Sequence, residues 1–224
     1  MSVSVATTLI EPRDLSRQEL VADGIIHILG IAAGSIGGAT LVALIAMRGD
    51  WLELGALLIY ACGLIAMFCC SAAYHLARNS PWRALLRRCD HAAIFIMIAG
   101  TYTPFTLLRL DGVWSWGLTG AVWLIAIIGV LAKFRPRCDL SLASATPYLA
   151  FGWVGLIAID PLFRSLGWAT LGLIALGGAL YTIGVLIHVR ERLPFQNAIW
   201  HAFVLAAAAV HYAAVVNGVV LRGA

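Results

Sequence analysis

Residues 52–77 read LELGALLIYACGLIAMFCCSAAYHLA. The stretch holds one acidic residue, Glu53, and no Lys or Arg, and almost every other position is apolar, aromatic or small. A helix needs about 20 mainly apolar residues to cross the hydrocarbon core of a membrane. The stretch is therefore long enough to span a bilayer, and it predicts a transmembrane helix.

Six further apolar runs of similar character flank this one. Strands of outer-membrane barrels alternate apolar and polar residues over about ten positions, and these runs do not alternate. Helices are therefore predicted, and the expected fold class is an all-α integral membrane protein with a bundle of seven transmembrane helices. The predicted spans are 24–47, 52–77, 91–110, 113–134, 142–160, 167–189 and 198–221.

The composition excludes two large classes of protein. Hydrophobic residues make up 62% of the chain and charged residues 12%, whereas soluble proteins hold about half and about a quarter. A soluble globular enzyme is therefore excluded. A disordered chain is excluded as well, because such chains lack the apolar surface that folding requires.

The Lys and Arg residues divide unevenly between alternate connections, eleven of the fifteen falling in one set. Short cytoplasmic loops hold the excess of Lys and Arg, so the N-terminus is predicted in the cytoplasm and the C-terminus outside, across the inner cell membrane. Residues 1–23 then form a cytoplasmic segment, without the basic start of a cleavable signal peptide, and residues 24–221 form the membrane domain. The basic set is Arg13, Arg17, Arg78, Arg83, Arg87, Arg88, Lys133, Arg135, Arg137, Arg190 and Arg192; the other is Arg48, Arg109, Arg164 and Arg222.

This charge distribution also bears on partners. Basic loops attract anionic lipid headgroups, each charge near the surface contributing about 1 kcal/mol, so contact with such headgroups is expected. The charges lie between apolar runs and the net charge is only +4, so nucleic acid is not expected as a partner. The oligomeric state is left open.

Ionisable side chains gather at one depth of the predicted bundle, at the starts of outward spans and the ends of inward ones. Such groups are costly inside a bilayer and mark functional sites, and convergence from several helices is what a tetrahedral zinc site requires. Taken singly, His27, His91 and His188 are interpreted as interfacial side chains that meet water and headgroups. The converging residues are His27, His75, Asp90, His91, His188 and His201.

Two of these histidines have a polar neighbour four residues earlier, which places each pair on one helix face. Ser71 precedes His75 in this way, and Asn197 precedes His201. Together with Asp90, the two histidines are favoured as a metal site. A metal lowers the pKa of a bound water towards neutrality, and a carboxylate beside it can act as a general base.

Four short motifs make the sequence recognisable: SAAYH at 71–75, RCDHAAIF at 88–95, IAGTYTPF at 98–105 and PFQNAIWH at 194–201. In combination they resemble the bacterial hemolysin III branch of the progestin and adipoQ receptor family. Glu19 followed by His27 is similar to that family's opening motif, and the resemblance runs from about Glu19 to about Tyr212. It implies seven helices, a cytoplasmic N-terminus and an intramembrane zinc site near the cytoplasmic side.

The resemblance also implies roles for individual residues. His75 and His201 are implied as zinc ligands, Asp90 as the carboxylate that orients water or transfers a proton, and Ser71 as a partner of the ligands or of the reacting oxygen. The chain departs from the family at Asn197, where the family has a histidine; an amide oxygen is a weaker ligand. The third ligand is therefore open between Asn197, Asp90 in direct contact, and a site emptier than in relatives. Fallback candidates are His91 and His188.

Three functions follow as hypotheses. The wider superfamily that the chain resembles includes alkaline ceramidases, so the first is a zinc-dependent lipid amide hydrolase that takes a membrane lipid as substrate. The second is a sensor or receptor of membrane homeostasis in which zinc is structural. The third is pore-forming hemolysin activity, ranked last because the outer half of the predicted bundle offers few polar residues.

Overall fold

The described part of the chain is built from helices. The structure is a computed structural model that describes residues 15–135, 145–190 and 193–221. Within those ranges, seven helical spans are long and apolar enough to cross a membrane, which confirms the predicted all-α bundle. The helices are α1 (Arg17–Ala46), α2 (Trp51–Leu76), α3 (Arg83–Arg109), α4 (Gly112–Lys133), α5 (Thr146–Gly152), α6 (Ile159–Ser165), α7 (Trp168–His188) and α8 (Gln196–Val215).

Helix α1 begins well before the predicted start of the first span at residue 24. Ser16 caps it: the Ser16 hydroxyl accepts from the Glu19 amide, and the Glu19 carboxylate accepts from the Ser16 amide in return. This reciprocal pairing satisfies donors that a helix start leaves unpaired. The first turns of α1 carry charged residues, so the search for apolar runs did not include them in the first span. These turns are nevertheless buried on one face: Glu19 and Asp23 are each only 5% exposed, and His27 is 2% exposed.

Helix α3 likewise starts earlier than the expected residue 91, because its first two turns are polar. Arg83, Arg87 and Asp90 all lie on these turns.

Four arginines of the predicted charge distribution lie outside the described residues, as do residues 142–144 of the fifth predicted span. The orientation of the bundle in the membrane therefore stays a prediction. Those arginines are Arg13, Arg137, Arg192 and Arg222.

The fifth span is interrupted, where one helix was expected over 142–160. It consists of α5, a 3₁₀ helix over Val154–Ala158, and α6. The Tyr102 hydroxyl of α3 donates to the Gly152 carbonyl at 2.6 Å and accepts from the Gly155 amide at 2.8 Å. A side chain that inserts into the hydrogen-bond ladder breaks a helix at that point, so Tyr102 accounts for the interruption.

Packing divides the bundle into neighbouring pairs. Helix α2 packs against α1 and α3, α3 also packs against α4, and α7 packs against α8. Close approach of α3 and α4 depends on Gly129, where an added Cβ would overlap the Phe95 ring. On the other side of α4, Leu124, Ile128 and Leu131 are exposed, as expected for a face that meets lipid.

Candidate metal centre

Four ionisable side chains from three helices meet inside the bundle. Asp23 and His27 lie on α1, His75 on α2 and His201 on α8. Each offers one possible ligand atom, and these four atoms all lie within 4.8 Å of one another. The His201 ring lies near both of the other imidazole rings, its centroid 4.3 Å from that of His27 and 4.5 Å from that of His75. We refer to these four residues as the metal group.

The Asp23 carboxylate lies among the three imidazoles. Its Oδ1 is 2.6 Å from His201 Nδ1, and its Oδ2 is 3.6 Å from both His27 Nε2 and His75 Nδ1. A carboxylate only accepts hydrogen bonds, so His201 donates from Nδ1 and its Nε2 is left with a lone pair. That Nε2 lies 3.4 Å from the Ser71 hydroxyl.

The local sequence explains how the group is assembled. Asp23 and His27 are four residues apart on α1 and therefore share a helix face. Glu19, one turn earlier, accepts a hydrogen bond of 2.8 Å from the Phe195 amide. Phe195 has a φ of 57° and immediately precedes α8. Glu19 thus holds the start of α8 against α1 and fixes the position of His201 along the bundle, beside Asp23.

The residues present fit a metal ion. Three imidazoles and a carboxylate are nitrogen and oxygen donors that zinc takes in tetrahedral sites. Asp23, His27 and His201 are buried, and the buried His27 Nε2 has no hydrogen-bond partner among the described residues. Buried polar atoms without a partner are costly, and a cation bound within the group would give this nitrogen a partner.

The metal group opens into a large internal cavity of about 850 Å³. Residues of α1, α2, α3, the fifth span, α7 and α8 form its walls, and no residue of α4 lines it. Binding cavities for small molecules measure about 300–1,000 Å³. The walls away from the metal group are mainly apolar, with Phe105, Leu162 and Trp168 among them, and His211 lies on the wall as well.

The sequence of the chain matches a known family. The model of the Haemolysin-III related family matches residues 16–212. The chain belongs to the haemolysin III-related family. It is 32% identical over 195 residues to the Hemolysin-3 homolog of Bacillus subtilis (strain 168), covering 87% of this chain and 92% of the relative. Hemolysin-3 of Bacillus cereus is also 32% identical over 195 residues, covering 87% and 89%.

A more distant relative extends the family. The human monocyte to macrophage differentiation factor is 31% identical over 163 residues, covering 70% of this chain and 67% of that protein. These matches confirm the resemblance to the hemolysin III branch of the progestin and adipoQ receptor family. The haemolysin III-related chain, with its seven apolar spans, is thus a multi-pass membrane protein.

In this haemolysin III-related protein, every side chain predicted for the site lies on the wall of the one cavity. His75 and His201 belong to the metal group. Ser71 is buried beside His201 and its hydroxyl also interacts with the Asp90 carboxyl group. Asp90 is outside the metal group found among the described His, Cys, Asp and Glu residues, and Asn197 faces the cavity one turn before His201.

The sequence reasoning missed Asp23 and did not favour His27 as a ligand. Asp23 was assigned to the cytoplasmic segment 1–23, before the first span, and His27 was interpreted as an interfacial side chain. The signal was present: the two residues are four apart, as are Ser71 and His75. The two fallback histidines line the cavity elsewhere, His91 with its Nδ1 3.3 Å from the Tyr148 hydroxyl and His188 stacked on Trp200.

Proposed function

We propose that this haemolysin III-related protein is a zinc-dependent hydrolase of a membrane lipid amide. The observation that carries the proposal is the position of the metal group, which lies on the wall of an apolar cavity large enough for a lipid chain. Zinc is the preferred ion because imidazole suits it and it forms catalytic sites with three protein ligands. The three would be His27, His75 and His201.

Bound zinc would supply Lewis acidity to the amide carbonyl and to a water molecule. The chain's own residues then have separable roles. Asp23 orients His201 through the 2.6 Å hydrogen bond, since carboxylates that hold a ligating histidine fix its tautomer and raise its basicity. Asp90 takes a proton from water as general base and returns it to the leaving amine.

Ser71 would act on the carbonyl oxygen of the substrate. Its hydroxyl lies 3.4 Å from His201 Nε2 and also interacts with the Asp90 carboxyl group. A hydroxyl that donates to the oxygen where negative charge develops stabilises the transition state. In this assignment Asp90 and Asn197 stay outside the set of ligands, and Asn197 lines the path of the substrate.

The cavity supports a lipid as the substrate class. Its apolar walls extend along α3 as far as Phe105, and an acyl chain can move between helices from the bilayer. With the N-terminus in the cytoplasm, as the positive residues favour, the metal group lies in the inner leaflet of the cell membrane. The scissile amide would then sit near the headgroups and the acyl chain nearer the membrane centre.

The direct test is hydrolysis of a fluorescent long-chain fatty amide by the purified protein in lipid nanodiscs. We expect release of fatty acid, loss of activity with a chelator and recovery with Zn²⁺. Asp90→Asn should lower turnover at least about 100-fold, the usual contribution of general acid–base catalysis. Asp111→Asn, beyond the far end of α3, is the matched control and should keep full activity. No hydrolysis of any lipid amide by the zinc-loaded protein would overturn the proposal.

A structural zinc site is a second candidate, favoured by the presence of Asp23 in the metal group. Structural zinc sites are closed by four protein ligands, whereas catalytic sites keep one position open. If Asp23 binds the ion directly, zinc would tie α1, α2 and α8 together in a sensor or receptor of membrane state. Removal of zinc would then lower the thermal stability of the protein strongly, and no lipid amide would be hydrolysed.

A further inference from the structure

Three arginines line the cavity at the end where α2 stops and α3 starts. Arg78 follows α2, and Arg83 and Arg87 lie on the first turns of α3. The Arg83 guanidinium donates to the Tyr74 carbonyl at 3.3 Å and lies 4.7 Å from the centroid of the Tyr74 ring. Tyr74 directly precedes His75, so one of the three charges is fixed next to the metal group. We call this part of the cavity the arginine end.

The charges that face one another at the arginine end do not balance. Arg87 interacts electrostatically with Asp90, which, among the described residues, is the acidic residue on the cavity wall outside the metal group. The Asp23 carboxylate is already engaged by His201. Among the described residues on the cavity wall, three guanidinium groups thus meet two carboxylates, and arginine is in excess.

The opposite end of the cavity has the contrary character. Phe105, Leu162 and Trp168 form its walls, and Phe105 lies 18 residues after Arg87, about 27 Å along α3 at 1.5 Å per residue. The cavity is therefore amphipathic over a distance close to the thickness of the hydrocarbon core of a bilayer, about 30 Å. A ligand that fills it would carry an anionic group at one end and an acyl chain at the other.

We infer that Arg78, Arg83 and Arg87 bind an anionic headgroup, phosphate or carboxylate, of a lipid whose chain occupies the apolar end. Arginine pairs with both groups through two parallel hydrogen bonds, which lysine cannot do. That this lipid is also the substrate rests on the proposed function. The substrate class is then an anionic lipid amide, whose amide lies between the arginines and the apolar walls.

General attraction of membrane proteins to anionic headgroups is a different effect, and the chain contains a control for it. Arg88 is the next residue after Arg87 but does not line the cavity; its guanidinium donates to the Phe134 carbonyl at 3.0 Å. Surface attraction would depend on Arg88 as much as on Arg87. A headgroup site within the cavity would depend on Arg78, Arg83 and Arg87 and not on Arg88.

The experiment measures equilibrium binding of two radiolabelled amides to the zinc-loaded protein in neutral detergent micelles. N-palmitoylglycine and N-palmitoylethanolamine share the chain and the amide and differ in the negative charge. We expect the anionic amide to bind at least about tenfold more tightly, as charge-assisted hydrogen bonds allow. Arg87→Gln and Arg78→Gln should each remove most of that preference, and Arg88→Gln should leave it unchanged.

Three results would overturn the inference: equal binding of the two amides, a preference that survives in both Arg78→Gln and Arg87→Gln, or an equal loss in Arg88→Gln. A preference that survives in both variants would mean that zinc, and not the arginines, binds the carboxylate of N-palmitoylglycine. Competition with inorganic phosphate separates the two sources of the anion, since millimolar phosphate that displaces the lipid completely would mark a site for a free anion. Release of palmitic acid is measured in the same samples, so a binding preference without hydrolysis would refute the proposed function and leave the headgroup site standing.

Discussion

Asp23 and His201 form a hydrogen bond of 2.6 Å although 178 residues separate them in the chain. The bond joins the first helix to the last one and lies inside the bundle, where both side chains are buried. A buried carboxylate–imidazole pair of this kind orients the ring and selects its tautomer. The pair therefore links the closure of the seven-helix bundle to the geometry of the metal group.

Replacing the carboxylate should weaken the metal site. We predict that Asp23→Asn binds zinc 10- to 100-fold more weakly, approximately the effect of removing a carboxylate that supports a ligating histidine. A competition titration with a chromophoric chelator measures the affinity. Asp160→Asn, in an exposed pair with Arg164, is the matched control and should bind zinc normally. An unchanged affinity in Asp23→Asn would refute a role for this residue in the site.

The identity of the ligands can be determined by metal content. Elemental mass spectrometry of the purified protein should find one zinc per chain, absent after His27→Ala, His75→Ala or His201→Ala. Asn197→Ala should retain the metal, because the metal group already supplies four donors without it. His91→Ala, at another part of the cavity wall, controls for the loss of an imidazole. Loss of zinc from Asn197→Ala would instead make the amide oxygen a ligand.

The features that could be predicted from the sequence are those that depend on hydropathy. Seven runs of apolar residues predicted the spans because backbone groups in a bilayer must be satisfied within helices. His75 and His201 stood out because each interrupts or borders an apolar run. Both residues lie in the metal group.

The features that could not be predicted depend on contacts between distant segments. The start of α1 was placed after Asp23 because a hydropathy criterion begins a span after the last charged residue. Asp23 is accommodated in the helix only because histidines from α2 and α8 surround it. The break in the fifth span likewise requires the Tyr102 hydroxyl of α3, which no local pattern at 142–160 reveals.

Glu19 should contribute to stability rather than to metal chemistry. Its carboxylate accepts hydrogen bonds from the Ser16 and Phe195 amides, so Glu19→Ala removes one of the two hydrogen bonds that cap α1 and the attachment of α8. We predict a loss of about 1–3 kcal/mol in the free energy of unfolding, since two partly buried amides are left without their acceptor. Thermal unfolding in detergent measures the loss. The Glu19→Gln protein, which keeps one acceptor oxygen, should be less affected, and equal stability of Glu19→Ala and the wild type would contradict the assignment.

The contact between α7 and α8 depends on a small residue. An added Cβ at Gly177 would overlap the His211 ring, whereas one at Gly172 on the same helix would meet no atom within 4 Å. Gly177→Ala should therefore destabilise the protein by about 1–3 kcal/mol, as overpacking does, and Gly172→Ala should be neutral or slightly stabilising because alanine favours helix. Chemical denaturation of both variants measures the difference. Equal stability of the two would mean that α7 and α8 are not packed through Gly177.

Ser71 distinguishes the catalytic site from the structural one. Its side chain is buried and its hydroxyl lies 3.4 Å from His201 Nε2, yet Ser71→Ala keeps the shape of the residue apart from one oxygen. A catalytic site predicts normal zinc content with turnover lowered about 100- to 1,000-fold, the effect of removing one hydrogen-bond donor to a developing oxyanion. A structural site predicts normal zinc content and no activity to lose. Ser115→Ala replaces a buried serine on α4 that does not line the cavity, and this variant should keep both zinc and turnover. If Ser71→Ala hydrolyses the lipid amide as fast as the wild type, the hydroxyl has no part in catalysis, and charge on the carbonyl oxygen must be stabilised by the metal group alone.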